Sequence, residues 1–376
     1  MRIALVHDWL TGLRGGERVL DVLARAHPDA ELYTLIHRPG ATTPAIDALR
    51  VHTSPLDRLP GVGRHYRKLL PLYPWAIDRL RPHDCDLVLS ISHAVAKSVP
   101  VPAGTPHLCY CLTPMRYVWD QADAYLGRGL RRAAATPLVS ALRRFDRSRS
   151  TPAHVTRFVA ISRGVSERIR RHYARPSRVV HPPVDVERFQ PTGAPPDDYY
   201  LLVGAFVPYK REDLAIEAFR RSGRRLVVAG DGPLRGRIEA SAPPNVEFVG
   251  RVPDDTLAEL FAGCRALVHP QHEDFGLVAV EVQAAGRPVI ALAAGGALDT
   301  VRPLHDTPHE GAEAPTGVLF EQQSAEALAA AVERFERSEH VFDAKAIRRH
   351  AEHFGPRRFV EALGREIEAA RAGLDQ

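Results

Sequence analysis

Apolar residues along this chain gather in short runs, and stretches of helical periodicity separate them. RIALVH (2–7), AELYTLI (30–36), DLVLSIS (86–92), HLCYCL (107–112) and RFVAIS (157–162) read as buried strands. GERVLDVLARA (16–26) and SRGVSERIRRHY (162–173), the latter with Ser162 as its N-cap, read as amphipathic helices. Apolar strands alternating with helices predict a parallel sheet covered on both faces. A Pro-rich segment, 179–198, holds five prolines and ends this series. A second series opens at YYLLVGAF (199–206) and runs through RRLVVAG (224–230), NVEFVG (245–250), ALVHP (266–270), RPVIAL (287–292) and GVLF (317–320).

The predicted fold class is therefore α/β: two doubly wound parallel-sheet domains facing a central cleft at the C-terminal ends of their strands. The boundaries expected are 1–185 for an N-terminal domain, 186–358 for a second domain and 359–376 for a terminal helix. Periodicity leaves open whether that helix stays with the second domain or crosses back.

Composition supports this reading. A chain of 376 residues, 45% hydrophobic and 25% charged, is that of a soluble globular protein of two domains, which excludes fibrous and disordered classes. No uncharged apolar run approaches the roughly 18–20 residues of a membrane span. His7 and Asp8 break the apolar stretch of MRIALVHDWLTG, too short for a signal-peptide core. Cys85, Cys109, Cys111 and Cys264 do not make a disulfide framework, so reduced thiols and a cytoplasmic protein are expected, with a peripheral position on the inner face of the cytoplasmic membrane left open.

Charge changes the picture more. The net charge of +5 divides into 28 Lys and Arg against 15 Asp and Glu in residues 1–185, and 22 against 30 in the remainder. A basic half points to an anionic partner such as a membrane surface, a phosphorylated acceptor or nucleic acid, against the plainer reading of a solvated Arg-rich surface. Residues 58–82 interleave Arg and Lys with Tyr66, Tyr73 and Trp75, and residues 127–150 hold seven arginines among Leu130, Leu138, Val139 and Leu142. Such surfaces suit an anionic bilayer, and suit equally the outer helices of a packed domain. No recognition motif supports nucleic-acid binding.

Chemistry is expected first in HEDFGLVAVE (272–281). A turn leads into an apolar helix, LVAVEVQAA (277–285), closed by Gly286 and Pro288, so Glu281 is a buried carboxylate that needs a partner. A ribose diol offers it two hydroxyl donors. Glu273 precedes the helix N-terminus, where the amides of Phe275, Gly276 and Leu277 are placed to meet a phosphate or sugar hydroxyls. Lys210 and Arg211 open the helix REDLAIEAFRR (211–221) against its macrodipole, an arrangement that makes sense with a diphosphate between them and the helix end. The bland alternatives are a Glu281 bonded to backbone and cations pointing to solvent.

Weaker signals follow. Gly15 and Gly16 form a strand–glycine–helix turn that lets backbone approach a phosphate or sugar. His93 follows DLVLSIS as a base, a substrate partner or a structural histidine. GDGPLRG (230–236) misses the dinucleotide fingerprint and reads as a strand-to-helix turn with Pro233 in the first turn. Cys109 and Cys111 read as core thiols. HDTPHE (305–310) lacks the spacing of a metal site, and no metal is expected.

The E-x7-E pair, the V-P-Y-K helix start, the glycine loop after the first strand and GGALDTV (295–301) together resemble glycosyltransferase family 4, the retaining GT-B enzymes. YCLTPMRYVWD (110–120), LLVGAFVPYKREDLAIEAF (201–219) and residues 272–301 are most like bacterial mannosyltransferase-like members acting on cell-envelope polysaccharides. The resemblance implies that Glu281 binds the ribose of a nucleotide-sugar. Glu273, with Phe275, Gly276 and Leu277, would hold the transferred hexose and its phosphate. Lys210 would neutralise the leaving diphosphate, and Gly15 and Gly16 would meet the diphosphate or the acceptor. It implies no cofactor and no metal, a GDP-mannose donor, and a glycan or lipid-linked acceptor.

Two positions depart from the family pattern. Ala205 stands where many members have an Arg, for which Arg211 is a stand-in, and Leu112 stands where the cleft His is usual, leaving His93 as the substitute. Other readings remain open: a different UDP-sugar hexosyltransferase, an epimerase or phosphorylase, or a non-catalytic nucleotide-sugar binding protein.

Overall fold

A computed structural model of the chain describes residues 1–120, 130–305 and 313–373. The chain divides into two units, residues 1–183 with 357–376, and residues 184–356. Each is built on one fully parallel sheet.

The first sheet has the order β3-β2-β1-β4-β5-β6-β7. Its strands are β1 (Ile3–His7), β2 (Glu31–Thr34), β3 (Arg50–Thr53), β4 (Leu87–Ser92), β5 (His107–Cys111), β6 (Arg157–Ala160) and β7 (Arg178–Val179). β1, β4 and β5 are buried along their whole length, as their unbroken apolar runs require. Helices α1 (Gly15–Ala26), α2 (Leu130–Ser148) and α3 (Arg163–Tyr173) return the chain between strands. Ser162 caps α3 as its sequence predicts, its Oγ accepting from the Val165 amide at 3.2 Å.

The second sheet runs β10-β9-β8-β11-β12-β13. It comprises β8 (Tyr200–Ala205), β9 (Leu226–Asp231), β10 (Val246–Gly250), β11 (Leu267–His269), β12 (Val289–Leu292) and β13 (Gly317–Phe320). Its main helices here are α4 (Glu212–Ser222), α5 (Leu277–Ala284), α6 (Ala297–Thr300), α7 (Ala325–Arg337) and α8 (Ala344–Ala351). Tyr200, Phe219 and Phe335, from β8, α4 and α7, interlock edge to face in the core of this unit. The turn after β9 places Pro233 before the next helix, which starts at Arg235, because the strand itself continues to Asp231.

The terminal helix α9 (Pro356–Arg371) starts at the unit boundary and packs on the first sheet. Phe359 lies edge-on to Tyr110 with ring centroids 5.5 Å apart, and Glu366 accepts from Arg157 Nε at 2.7 Å.

In both sheets the strand order reverses direction once, between β1 and β4 and between β8 and β11. At such a switch point the flanking loops leave in opposite directions, and the crevice between them is where open α/β sheets bind ligands.

Candidate active site

The second unit brings a cation and a carboxylate together at its switch point. β8 ends at Ala205, and a single 3-10 turn, Pro208–Lys210, carries the chain to α4. β11 ends at His269, and Glu273 follows in the turn before α5. Lys210 Nζ pairs with Glu273 Oε1, and both side chains are largely buried. The two residues are distant in sequence and meet because β8 and β11 are neighbours.

His269 closes the pair from below. It is buried, and desolvation together with the Lys210 charge pushes its pKa down to about 3, so the ring is neutral. Gln271 Nε2 lies 3.0 Å from Nδ1, which leaves the ring proton on Nε2, 3.8 Å from Glu273 Oε2. Gly276 sits in left-handed backbone with φ of 87°, which favours glycine, and a Cβ there would be in ordinary contact with His269 Nε2 and Glu273 Oε2 at 3.4 and 3.5 Å. α5 starts at Leu277, so the amides at this end have no intrahelical acceptor. Phe275 is buried edge-on against Phe354, and Glu281 is buried one turn into the helix. α5 ends as its sequence predicts, with Gly286 left-handed and the Arg287 amide reaching back to the Val282 carbonyl at 3.2 Å.

The GG of GGALDTV has a geometric reason. The Gly296 amide donates to the Glu273 carbonyl at 2.9 Å, and a Cβ on Gly295 or Gly296 would sit 2.1 Å from the carbonyl oxygen of Glu273 or Phe275. Only glycine lets this backbone cross the Glu273 turn and so fix it.

Arg211 departs from expectation. It does not join Lys210 in facing a common anion. It occupies left-handed backbone, φ 56°, and turns onto Asp213, with Nε and Nη2 each 3.0 Å from a carboxylate oxygen. This bidentate pair neutralises its charge and raises its pKa. The helix accordingly begins one residue later than predicted, at Glu212. Glu212 is itself buried beside Lys210, and burial pushes its carboxyl up to about 7.

The first unit builds a second polar centre at its own switch point, one that reading along the chain missed. Asp8, directly after β1, is fully buried and accepts four backbone amides of the turn after β4: His93 at 2.7 Å, Ala94 at 2.9 Å, Val95 at 2.6 Å and Ala96 at 2.7 Å. His93 Nδ1 lies 3.0 Å from Asp8 Oδ2, close enough for an ion pair though without the alignment of a hydrogen bond. Burial works against the Asp8 charge, but His93, His7 and the amides outweigh it and hold the carboxyl well below the usual range. The only signal in the sequence was an acid placed immediately after a buried strand.

His93 retains partial exposure, its ring edge against Trp9 at 4.5 Å between centroids. His7 is buried, with Nδ1 3.1 Å from the Ile91 carbonyl and Nε2 without a hydrogen-bond partner among the described residues, and burial lowers its pKa. Gly15 and Gly16 form the first turn of α1 rather than a loop ahead of it. Gly16 is glycine because a Cβ there would come within 2.8 Å of Leu112 and 3.2 Å of His7.

Among the basic stretches, Tyr66 and Tyr73 prove to be core residues, while Leu59, Leu72 and Trp75 are exposed. In α2, Val139 and Leu142 are core and Leu138 is exposed, and residues 127–129 lie outside the described residues, as do 306–310 of HDTPHE. Among the described residues no group of three or more His, Cys, Asp and Glu side chains is placed to hold a metal ion, and no helix is long and apolar enough to cross a membrane. Cys109 and Cys111 are buried in β5.

The chain is similar to known proteins. Residues 184–354 match the family described as "Glycosyl transferases group 1". The match covers the second unit almost end to end. The chain is also 32% identical over 256 residues to a D-inositol 3-phosphate glycosyltransferase of Geodermatophilus obscurus, covering 58% of this chain and 53% of that one. It thus spans about half the length of that relative. The fold likeness extends further. HepE of Anabaena, solved in complex with UDP, superposes with a TM-score of 0.72 at 15% identity, covering 98% of this chain and 100% of that one. Sucrose-phosphate synthase of Thermosynechococcus elongatus gives 0.72 at 20% identity, over 99% of both chains. The two parallel α/β units are thus those of the GT-B glycosyltransferase fold.

Proposed function

We propose that this chain is a retaining hexosyltransferase that moves a hexose from a nucleoside diphosphate sugar to a hydroxyl of a cell-envelope or lipid-linked acceptor, without a metal ion. The observation that carries the reading is the Lys210–Glu273 pair at the switch point of the second sheet, beside the start of α5. Lys210 has three donors, so it can stay on Glu273 while meeting the phosphate whose charge grows as the glycosidic bond breaks. The first amides of α5 serve the same anion, Glu273 accepts hydroxyls of the sugar, and Glu281 takes the ribose diol. With the departing phosphate taking the acceptor proton from the same face, no side-chain base is required. Leu112 is then compatible with turnover, and His93, poised by Asp8, serves as an acceptor hydrogen-bond partner. Arg211, turned onto Asp213, acts by fixing the Lys210 turn.

The donor implied by the resemblance is GDP-mannose, whereas HepE has been solved with UDP and with UDP-glucose. Thermal stabilisation by GDP, UDP, ADP and their sugars decides between them, since a ligand bound only to the folded state raises its stability. A shift with one diphosphate family supports the reading and names the base. No shift with any of them removes it. Donor binding without transfer or hydrolysis would favour the non-catalytic binder that Ala205 and Leu112 bring to mind. A cytoplasmic enzyme working at the inner membrane face is supported by exposed Leu59, Leu72 and Trp75 among Arg58, Arg67, Lys68 and Arg79.

A further inference from the structure

We infer that Gln283 and His350 are positioning residues for Glu273, acting on its turn through Thr300 and Gly296. The inference rests on the transferase reading above for calling Glu273 a sugar-binding carboxylate, but the chain of bonds that reaches it stands on its own geometry.

The turn of Glu273 leans on α6. The Gly296 amide donates to the Glu273 carbonyl at 2.9 Å, and α6 follows at once with four residues. A helix of one turn cannot hold itself, because fixing its first dihedrals costs more than its hydrogen bonds return. Thr300 closes it: the Thr300 amide and Oγ1 both donate to the Gly296 carbonyl, each at 3.0 Å. The last residue of α6 thus grips the residue that meets Glu273.

Thr300 is held in turn by two other helices. Its carbonyl lies at the C-terminal end of α6, where no further turn supplies a donor. Gln283 Nε2 of α5 and His350 Nε2 of α8 both donate to it at 3.0 Å. Gln283 is wholly buried and gives its second N–H to the Ala279 carbonyl at 2.6 Å, inside the helix whose start adjoins Glu273. His350 is buried too, and burial pushes its pKa down to about 4, so a neutral ring carries its proton on Nε2.

Both side chains keep one polar atom buried without a hydrogen-bond partner among the described residues, Oε1 of Gln283 and Nδ1 of His350. That is costly, and an apolar side chain of equal bulk would avoid it. What the polar side chains supply in return is two N–H groups on one carbonyl, which fix α6 against α5 and α8. Without them Thr300 and Gly296 loosen, and the Glu273 carboxylate drifts from the place where it meets Lys210 and the sugar.

The test uses the purified full chain and the variants Gln283→Met and His350→Phe, which keep bulk and remove the N–H donors. Hydrogen exchange at the Gly296 amide should accelerate about tenfold in either, while the amides of β9 exchange as in wild type. Affinity for UDP-glucose or GDP-mannose, whichever wild type binds, should fall about tenfold, the worth of one hydrogen bond to a charged group. Affinity for UDP or GDP should stay unchanged. A general loosening of α5 would weaken all of these ligands alike, since the ribose and phosphate contacts also lie on that helix. Thr300→Val removes the hydroxyl clamp alone, should act the same way, and decides if the other two fail to fold. Unaltered exchange at Gly296, unaltered affinity for the sugar nucleotide, or an equal loss of sugar nucleotide and nucleotide overturns the inference. Wild type that binds none of the four ligands sinks the transferase reading alone, because exchange at Gly296 still decides the coupling.

Discussion

Replacing Asp8 with Asn tests the organisation of the first unit. The carboxylate accepts four amides at 2.6–2.9 Å and is wholly buried beside His93. Asn keeps one carbonyl oxygen, enough for two of the four, and turns an NH2 group toward the other two donors. Two hydrogen bonds to a charged group are lost, at about 1.5–3 kcal/mol each, so the turn after β4 should be destabilised by about 4 kcal/mol. Because two units need not unfold in one transition, a local readout is preferable to a melting curve. Hydrogen exchange at the amides of His93–Ala96 should accelerate by about a thousandfold at pH 7. The pH dependence has a definite sign. The folded carboxyl titrates below the unfolded one, so its contribution is present above the unfolded value of about 4 and fades as pH falls below it. Wild type and Asp8→Asn should therefore converge in acid. Acceleration of less than about tenfold at pH 7, or a difference that persists unchanged to low pH, would refute the reasoning.

Lys210→Ala should cut turnover by about a hundredfold to a thousandfold, the effect of losing one stabiliser of developing charge, with the fold intact. Normal turnover in that variant would remove the role assigned to Lys210. Glu212, pushed up to about 7 by burial, keeps in the folded state a proton the unfolded chain releases above about 4.5, so it costs stability as pH rises through that window. Glu212→Gln should be more stable than wild type by about 3 kcal/mol at pH 8 and equal to it near pH 4, and thermal melts at both values check this. Sedimentation with anionic vesicles should exceed that with neutral ones, and fall when Trp75 is replaced with Ser. Equal pelleting counts against a membrane surface.

Burial and periodicity were legible along the chain because they are local. The interior strands announced themselves by unbroken apolar runs, and α5 by its apolar face and Gly286 stop. The capping Ser162 and the pinch at Gly295 and Gly296 likewise sat in recognisable stretches. The edge strands of the first sheet were not legible: β3, Arg50–Thr53, has exposed ends and no apolar run, and β7 is two residues long.

What each charge does could only be decided in three dimensions. Lys210 and Arg211 are adjacent in sequence with the same charge, yet the left-handed backbone at Arg211 sends one to Glu273 and the other to Asp213. Asp8 reads locally as a polar break in an apolar run, and its four partners lie 85 to 88 residues away. The terminal helix follows the same logic, since the aromatic contact of Phe359 with Tyr110 assigns it to the first sheet. The sequence by itself determined which segments are strands and helices and which faces they bury, because solvent exclusion acts residue by residue. Strand order decided which loops share a switch point, and so which charges meet, because electrostatic partners are chosen by distance in space.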